Sequence, residues 1–190
     1  MNTDKKLLLI KHSMPELDPT VPAPDWHLGE RGRALSELLA NKLAEYSIDV
    51  IVSSVEPKAI ETAQIVAKRL NLPHKIVEGL HEHKRRNVPF MPKEQLEAKV
   101  AEFFAKPSEL VLGSETADQA YARFANAINR VLEKYPQKNV AVVAHGTVIS
   151  LFVARNNEMP FEFWKRLGLP SIVVLSLPGF QIEEVIENVE

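Results

Sequence analysis

Short apolar runs alternate along the chain with longer segments in which apolar residues recur every three or four positions. Apolar runs of this length, bounded by polar or turn residues, predict strands buried on both faces of a sheet. They cover residues 6–11, 49–53, 74–77, 139–144, 171–177 and 181–188. The helical spacing predicts helices over residues 29–45, 56–70, 93–105, 116–135 and 147–155.

The alternation of strands with helices predicts an α/β fold. We expect a three-layer sandwich, with a mostly parallel central sheet and helices on both of its faces. The last two strands flank Pro178-Gly179, so they should pair antiparallel through a two-residue turn and give the sheet an antiparallel edge strand. Residues 1–190 are interpreted as one domain, in which the irregular, proline-interrupted segment 81–113 is an insertion over one face.

Composition narrows the classes of function. The 190 residues include 23 Lys and Arg against 25 Asp and Glu, and the net charge of -2 argues against nucleic-acid binding through bulk charge. Without cysteine, the chain cannot use a thiolate nucleophile or a Cys-based metal site. The apolar, uncharged stretch at residues 140–154 is shorter than the ~20 residues of a membrane span. We therefore expect a cytoplasmic protein with no nucleic-acid partner and no membrane partner.

Polar side chains follow four of the predicted strands. Ligands of α/β sheets bind at the carboxyl ends of the parallel strands. This sequence places eleven chemically useful residues there: Lys11, His12, Ser13, Ser53, Ser54, Lys58, His81, Glu82, His83, His145 and Gly146. Each residue alone has an ordinary structural explanation. A hydroxyl before a helix, for example, is typical of an N-cap. Their coincidence at one edge of the sheet predicts an anion-binding or catalytic site.

The order and spacing of these residues resemble the histidine phosphatase superfamily, the phosphoglycerate mutase-like group. That family opens with Arg-His-Gly after its first strand, where this chain has Lys11-His12-Ser13. Its segment Ser-Ser-x-x-x-Arg-Ala-x-x-Thr-Ala is matched by residues 53–63, with Lys58 at the arginine position. Its Leu-x-Glu, and its apolar strand followed by His-Gly, are matched by residues 80–82 and 140–146. The resemblance covers nearly the whole chain.

The resemblance implies a metal-independent phosphatase that hydrolyses a phosphomonoester of a small metabolite through a phosphohistidine on His12, without a cofactor. Glu82 would protonate the leaving alcohol and then activate water. The phosphoryl oxygens would be bound by Lys11, Ser13, Lys58, Gly146 and His145, the last of which also counts among the catalytic groups. The segment 81–113 would cover the active-site face and offer weaker candidates for contacts with the substrate: His81, His83, Arg85 and Arg86.

Departures from the family pattern leave other hypotheses open. Lys11 and Lys58 keep the charge of the family's arginines without the bidentate fork of a guanidinium, and Ser13 replaces a glycine. The chain could therefore be a catalytically weak or inactive member that binds inorganic phosphate or a phosphorylated ligand. A metal-dependent hydrolase is a further hypothesis, because His81-x-His83 has the spacing of metal ligands. A homodimer paired through the last strands and an ordinary sheet edge are equally compatible with the sequence.

Overall fold

A computed structural model of the chain describes residues 5–157 and 162–190. In this part of the chain, six strands form one sheet in the order β3-β2-β4-β1-β5-β6. The strands are β1 (Lys6–Lys11), β2 (Val50–Ser53), β3 (His74–Ile76), β4 (Val140–Ala144), β5 (Ser171–Ser176) and β6 (Ile182–Ile186).

The pairing of the strands confirms the predicted mixed sheet. Four adjacent strands run parallel to one another, in the order β3, β2, β4 and β1. β5 pairs antiparallel with β1, and β6 forms the edge of the sheet, antiparallel to β5. The carboxyl ends of β1, β2 and β4 therefore meet at one edge of the sheet, as the residues at those ends require if they are to share a site.

Helices cover both faces of the sheet and make it the middle of three layers. The helices are α1 (Glu30–Leu43), α2 (Pro57–Leu70), α3 (Lys93–Ala105), α4 (Ala117–Lys134), α5 (Gly146–Asn157) and α6 (Glu162–Arg166). α1 and α2 pack on one face and α3, α4, α5 and α6 on the other. None of the helices among the described residues has the length and apolar character needed to cross a membrane.

The all-apolar sequence of β1 follows from this layering. Leu7 and Leu9 point into the core shared with α4 and α5, whereas Leu8 and Ile10 point into the core shared with α1 and α2. All four side chains are buried, because successive residues of a strand face opposite sides of the sheet and both sides are covered.

Two details differ from the sequence-based expectation. The predicted two-residue turn at Pro178-Gly179 is wrong, because β5 and β6 are joined by residues 177–181. Phe180 in this turn adopts a left-handed backbone (φ 54°), and its ring lies 5.1 Å from that of Phe152 in the core. α6 was not predicted, because five residues are too few to display a helical period.

Candidate active site

The ends of β1, β2 and β4 bring most of the predicted site residues into one pocket of about 210 Å³. The ring centroids of His12 and His145 lie 5.1 Å apart at its base. Both lysines, Glu82 and Arg85 line its walls together with Glu56 and Trp164. The structure thus brings together residues that the sequence separates by more than 130 positions.

His12 has the hydrogen bonding of a neutral imidazole with one free nitrogen. Its Nδ1 lies 2.7 Å from the carbonyl oxygen of Ser13, which can only accept, so Nδ1 carries the proton and Nε2 keeps its lone pair. Burial, His145 and Lys58 together hold the pKa of His12 well below its ordinary value. A neutral, oriented imidazole of this kind can act as a nucleophile at neutral pH.

His145 is fully buried behind His12. Its Nε2 lies 2.8 Å from the hydroxyl of Ser54, while its Nδ1 is buried and has no partner among the described residues. Burial, followed by the charge of Lys58, holds the pKa of His145 well below its ordinary value. A buried ring nitrogen without a partner is costly, so Nδ1 is a natural contact for an oxygen of a bound anion.

Glu82 lies at the N-terminus of α5, where a carboxylate is favourable. Its Oε2 accepts from the amide of Thr147 at 3.1 Å, and its Oε1 accepts from the amide of His83 at 2.8 Å. Burial raises the pKa of Glu82, but the charges of Arg85 and His145 and the His83 amide outweigh it, so the net pKa lies below its ordinary value. The carboxyl is therefore ionised at neutral pH.

Lys11 lies across Gly146 at the other side of the pocket. A Cβ at position 146 would stand 3.1 Å from Cε of Lys11, so glycine leaves room for this side chain. Its Nζ donates to the carbonyl oxygen of Leu167 at 2.5 Å. Burial lowers the pKa of Lys11 from 10.5 to about 8, although Glu82 opposes the shift. The ammonium is charged at neutral pH and loses its proton as the pH rises through about 8.

Lys58 is bound by a carboxylate that sequence reasoning missed. Its Nζ donates to Oε2 of Glu56 at 2.5 Å and to the carbonyl oxygen of Ala23 at 2.8 Å, and both charged side chains are buried. Oε1 of Glu56 accepts from the amide of Glu82 at 2.8 Å and lies 3.6 Å from Nε2 of His145. Glu56 occupies the N-cap position of α2 without capping it, because its side chain turns into the site.

Ser13 supports the loop that carries His12 and does not line the pocket. Its hydroxyl donates to the carbonyl oxygen of Gly32 at 2.7 Å, and its amide donates to the hydroxyl of Thr62 at 3.0 Å. The non-glycine residues with left-handed backbone among those described are Asn71 and Phe180, so serine is not strained at position 13. The hydroxyl and the amide of Ser13 thus both donate to protein atoms, and the phosphate contact expected of this residue stays a prediction.

The four weaker candidates after β3 have different surroundings. Arg85 lines the pocket, and its Nη1 is buried without a partner in the described residues. Arg86 instead forms a bidentate ion pair with Asp25, with distances of 2.6 and 2.7 Å. His83 lines the pocket and packs on Phe103, whereas His81 is half-buried outside the pocket lining.

A buried ion pair outside the motifs holds the loop that carries Glu82. Arg123 donates to the carbonyl oxygens of Gly79 and His81, each at 2.8 Å, and to that of Glu82 at 3.2 Å. Its partner Glu115 accepts from it at 2.5 Å and also binds the amide nitrogen of Lys84 at 2.9 Å. Neither residue belongs to a strand end, so only the tertiary structure identifies them as positioning residues.

The His81-x-His83 spacing raises the question of a metal site. Within residues 5–157 and 162–190, no three His, Asp or Glu side chains converge in a way that could hold a metal ion. The spacing His81-x-His83 consequently finds no third ligand in this part of the chain.

Curated relatives of this chain are phosphatases. Serine/threonine-protein phosphatase Pgam5, mitochondrial, of Drosophila yakuba is 26% identical over 168 residues, which cover 87% of this chain and 55% of Pgam5. The uncharacterized phosphatase PhoE of Bacillus subtilis is 26% identical over 137 residues, 66% of this chain and 68% of PhoE. This chain thus spans about half the length of Pgam5.

Solved structures share the fold over almost their full length. Mycobacterial glucosyl-3-phosphoglycerate phosphatase superimposes with a TM-score of 0.76 at 20% identity, covering 98% of this chain and 99% of that chain. Phosphoserine phosphatase from Entamoeba histolytica, solved with phosphoserine, gives a TM-score of 0.78 at 20% identity and 96% coverage of both chains.

The sequence profile of the histidine phosphatase superfamily (branch 1) matches residues 7–184, and the chain, with its paired histidines at the ends of β1 and β4, belongs to that superfamily.

Proposed function

We propose that this chain hydrolyses phosphomonoesters through a phosphohistidine intermediate on His12, without a metal ion. The observation that carries the proposal is the hydrogen bond from Nδ1 of His12 to the carbonyl oxygen of Ser13, which leaves Nε2 unprotonated at the base of a pocket with three cations. Lys11, Lys58 and Arg85 supply the positive charge that a transferring phosphoryl group needs.

In the first step, Nε2 of His12 attacks phosphorus and the bond from phosphorus to the leaving oxygen breaks. Nδ1 of His145 and the three cations bind the equatorial oxygens. A phosphoryl dianion beside Glu82 raises the pKa of its carboxyl, because two neighbouring negative charges disfavour each other. Glu82 therefore takes up a proton from water as the substrate binds and transfers it to the leaving alkoxide, so the alcohol departs neutral.

In the second step, water attacks the phosphohistidine. The carboxylate of Glu82, now without its proton, takes the proton of the attacking water, and the P–N bond breaks with its electron pair returning to Nε2. Inorganic phosphate is released and His12 is again neutral. The amides of His83 and Thr147 fix both oxygens of Glu82 for this exchange.

The test is the hydrolysis of an aryl phosphate by wild type, His12→Ala and His27→Ala. His27 is an exposed histidine whose Nδ1 lies 2.6 Å from Glu61 outside the pocket, so His27→Ala is the matched control. We expect His12→Ala to abolish turnover and His27→Ala to retain it. Radiolabelled substrate should give wild type an acid-labile, alkali-stable phosphoenzyme. Equal rates for wild type and His12→Ala would refute the proposal, as would activity that a chelator removes.

A second candidate function is phosphate binding with weak or no turnover. The observation that favours it is the pairing of Lys58 with Glu56, which places a carboxylate against one of the cations that would otherwise face the phosphate. In that case, phosphate would bind competitively with aryl phosphate analogues, while neither wild type nor His27→Ala would release product. Calorimetric titration with inorganic phosphate, performed beside the turnover assay, separates the two candidates.

A further inference from the structure

A second, larger cleft adjoins the catalytic pocket. It has a volume of about 360 Å³, within the roughly 300–1,000 Å³ usual for ligand sites. One wall is formed by the proline-rich segment 19–26 and the other by residues 85–91 of the insertion. Of the fourteen residues that line it, ten are apolar, so the cleft suits a hydrocarbon group better than a sugar or an amino acid.

The two cavities are continuous. Ala23, Trp26, Arg85 and Leu96 line both of them. Arg85 stands at this junction with its buried Nη1 unpartnered among the described residues. A ligand whose phosphoryl group contacts His12 and Arg85 would therefore direct the rest of its structure between Trp26 and Leu96 into the apolar cleft.

The walls of the cleft are held in place before any ligand arrives. The indole nitrogen of Trp26 donates to the carbonyl oxygens of Asp18 and Val21, at 2.9 and 3.0 Å. These two hydrogen bonds fix the ring where it lines both cavities. The bidentate pair between Arg86 and Asp25 ties one wall to the other.

The same ion pair balances charge in the cleft. Asp25 already accepts from both terminal nitrogens of Arg86, so the pair adds no net charge to the lining. Phe90 extends the apolar lining, with its ring centroid 6.4 Å from that of Trp26. More than half of its side chain (54%) is exposed, so an apolar ligand would cover hydrocarbon that now faces water.

We infer that the cleft binds the alcohol portion of the substrate, and that the substrates are phosphomonoesters of apolar alkyl or aryl alcohols. The inference rests on the proposed function, because it assigns the group attached to the phosphoryl that His12 receives. It also narrows the expectation of a small phosphorylated metabolite to a specific chemical class.

The test uses a series of n-alkylphosphonates from methyl to octyl, whose C–P bond cannot be hydrolysed by this mechanism. Binding is measured by calorimetry for wild type, Phe90→Ser and Leu110→Ser. Leu110 is an exposed leucine of the same inserted segment that lines neither cavity, so Leu110→Ser is the matched control. Both substitutions change exposed side chains, so we expect both variants to fold as wild type does and their difference to report binding.

In wild type and Leu110→Ser, we expect the Kd to fall roughly fourfold per added methylene, the equivalent of ~0.8 kcal/mol for each buried CH2. The heat capacity of binding should become more negative with chain length. Phe90→Ser should flatten the dependence on chain length. Equal Kd values along the series, or a wild-type dependence in Phe90→Ser, would overturn the inference.

Turnover of aryl phosphate by the same preparations separates this inference from the proposed function. Chain-length-dependent binding without turnover would refute the phosphatase and leave the apolar cleft assigned. Turnover combined with length-independent binding would refute the cleft assignment and leave the phosphatase. If no phosphonate binds at all, the assignment of the cleft fails.

Discussion

Replacement of Glu56 by glutamine should tighten phosphate binding while it destabilises the fold. Glu56→Gln keeps the shape of the side chain and one oxygen that can accept from the amide of Glu82. It removes the negative charge that now pairs with Lys58 at 2.5 Å and lies 3.6 Å from Nε2 of His145. The ammonium of Lys58 then no longer pairs with the carboxylate of Glu56, and an anion in the pocket is no longer repelled by that charge.

The expected magnitudes follow from burial and distance. A carboxylate ~6–8 Å from a phosphoryl anion, at an effective dielectric constant of about 20, repels it by roughly 2–3 kcal/mol. Removing that repulsion corresponds to a phosphate Kd lower by roughly 30–150-fold. Breaking the buried ion pair acts in the other direction on stability, and loss of a charge-assisted hydrogen bond costs about 1.5–3 kcal/mol in the free energy of unfolding.

Calorimetric titration with inorganic phosphate and urea denaturation measure the two effects. Glu61→Gln is the matched control, because Glu61 lies on the same side of the sheet in α2 but binds His27 and Arg33 outside the pocket. It makes the same change in net charge and should leave the phosphate Kd within about twofold, as expected for a screened surface charge. Phosphate binding that is equal or weaker in Glu56→Gln than in Glu61→Gln would refute this account of the pocket.

Three further predictions concern the nucleophile's surroundings. Lys58→Arg should maintain or raise kcat/KM for aryl phosphate, since a guanidinium keeps the charge and adds a fork, and complete loss would mean that the site requires an ammonium. Because burial lowers the pKa of Lys11 to about 8, kcat/KM should fall as the pH rises through about 8 and the ammonium loses its proton. Lys11→Arg should remove this alkaline fall in the pH profile, and its persistence would assign the titration to another group. Thr62→Val leaves the buried amide of Ser13 without its acceptor and should lower the free energy of unfolding by about 1–3 kcal/mol in urea, whereas wild-type stability would contradict that role.

The strands and helices were predictable because burial on both faces leaves a clear pattern in the sequence. The helix predicted over residues 93–105 has the bounds of α3, and the strand predicted over residues 139–144 contains β4. The turn at residues 177–181 was not predictable from Pro178-Gly179, because its length depends on Phe180 reaching the core beside Phe152. Such long-range packing leaves no local signal.

Most of the residues expected to gather at the strand ends line one pocket, although Ser13 lies outside its lining. His12, His145 and Glu82 lie in one pocket because the carboxyl ends of parallel strands converge. Glu56 was missed although it stands two residues before Lys58, because a polar residue before a helix is typical of an N-cap and its inward orientation depends on the amide of Glu82. The apolar cleft was missed because its walls are separated by about sixty positions in the sequence.

The two lysines and the buried carboxylate are best understood as one arrangement. An ammonium on a flexible stem has no fixed orientation of its own, so it needs acceptors to hold it. Glu56 and the carbonyl oxygen of Ala23 hold Lys58, and the carbonyl oxygen of Leu167 holds Lys11. The guanidinium that lines the pocket with an unpartnered nitrogen is that of Arg85, which comes from the insertion and stands at the entrance to the apolar cleft. Under the proposed function, the guanidinium contact to the phosphoryl group comes from the same segment that lines the apolar cleft, so a change in the insertion should alter phosphate affinity and substrate preference together.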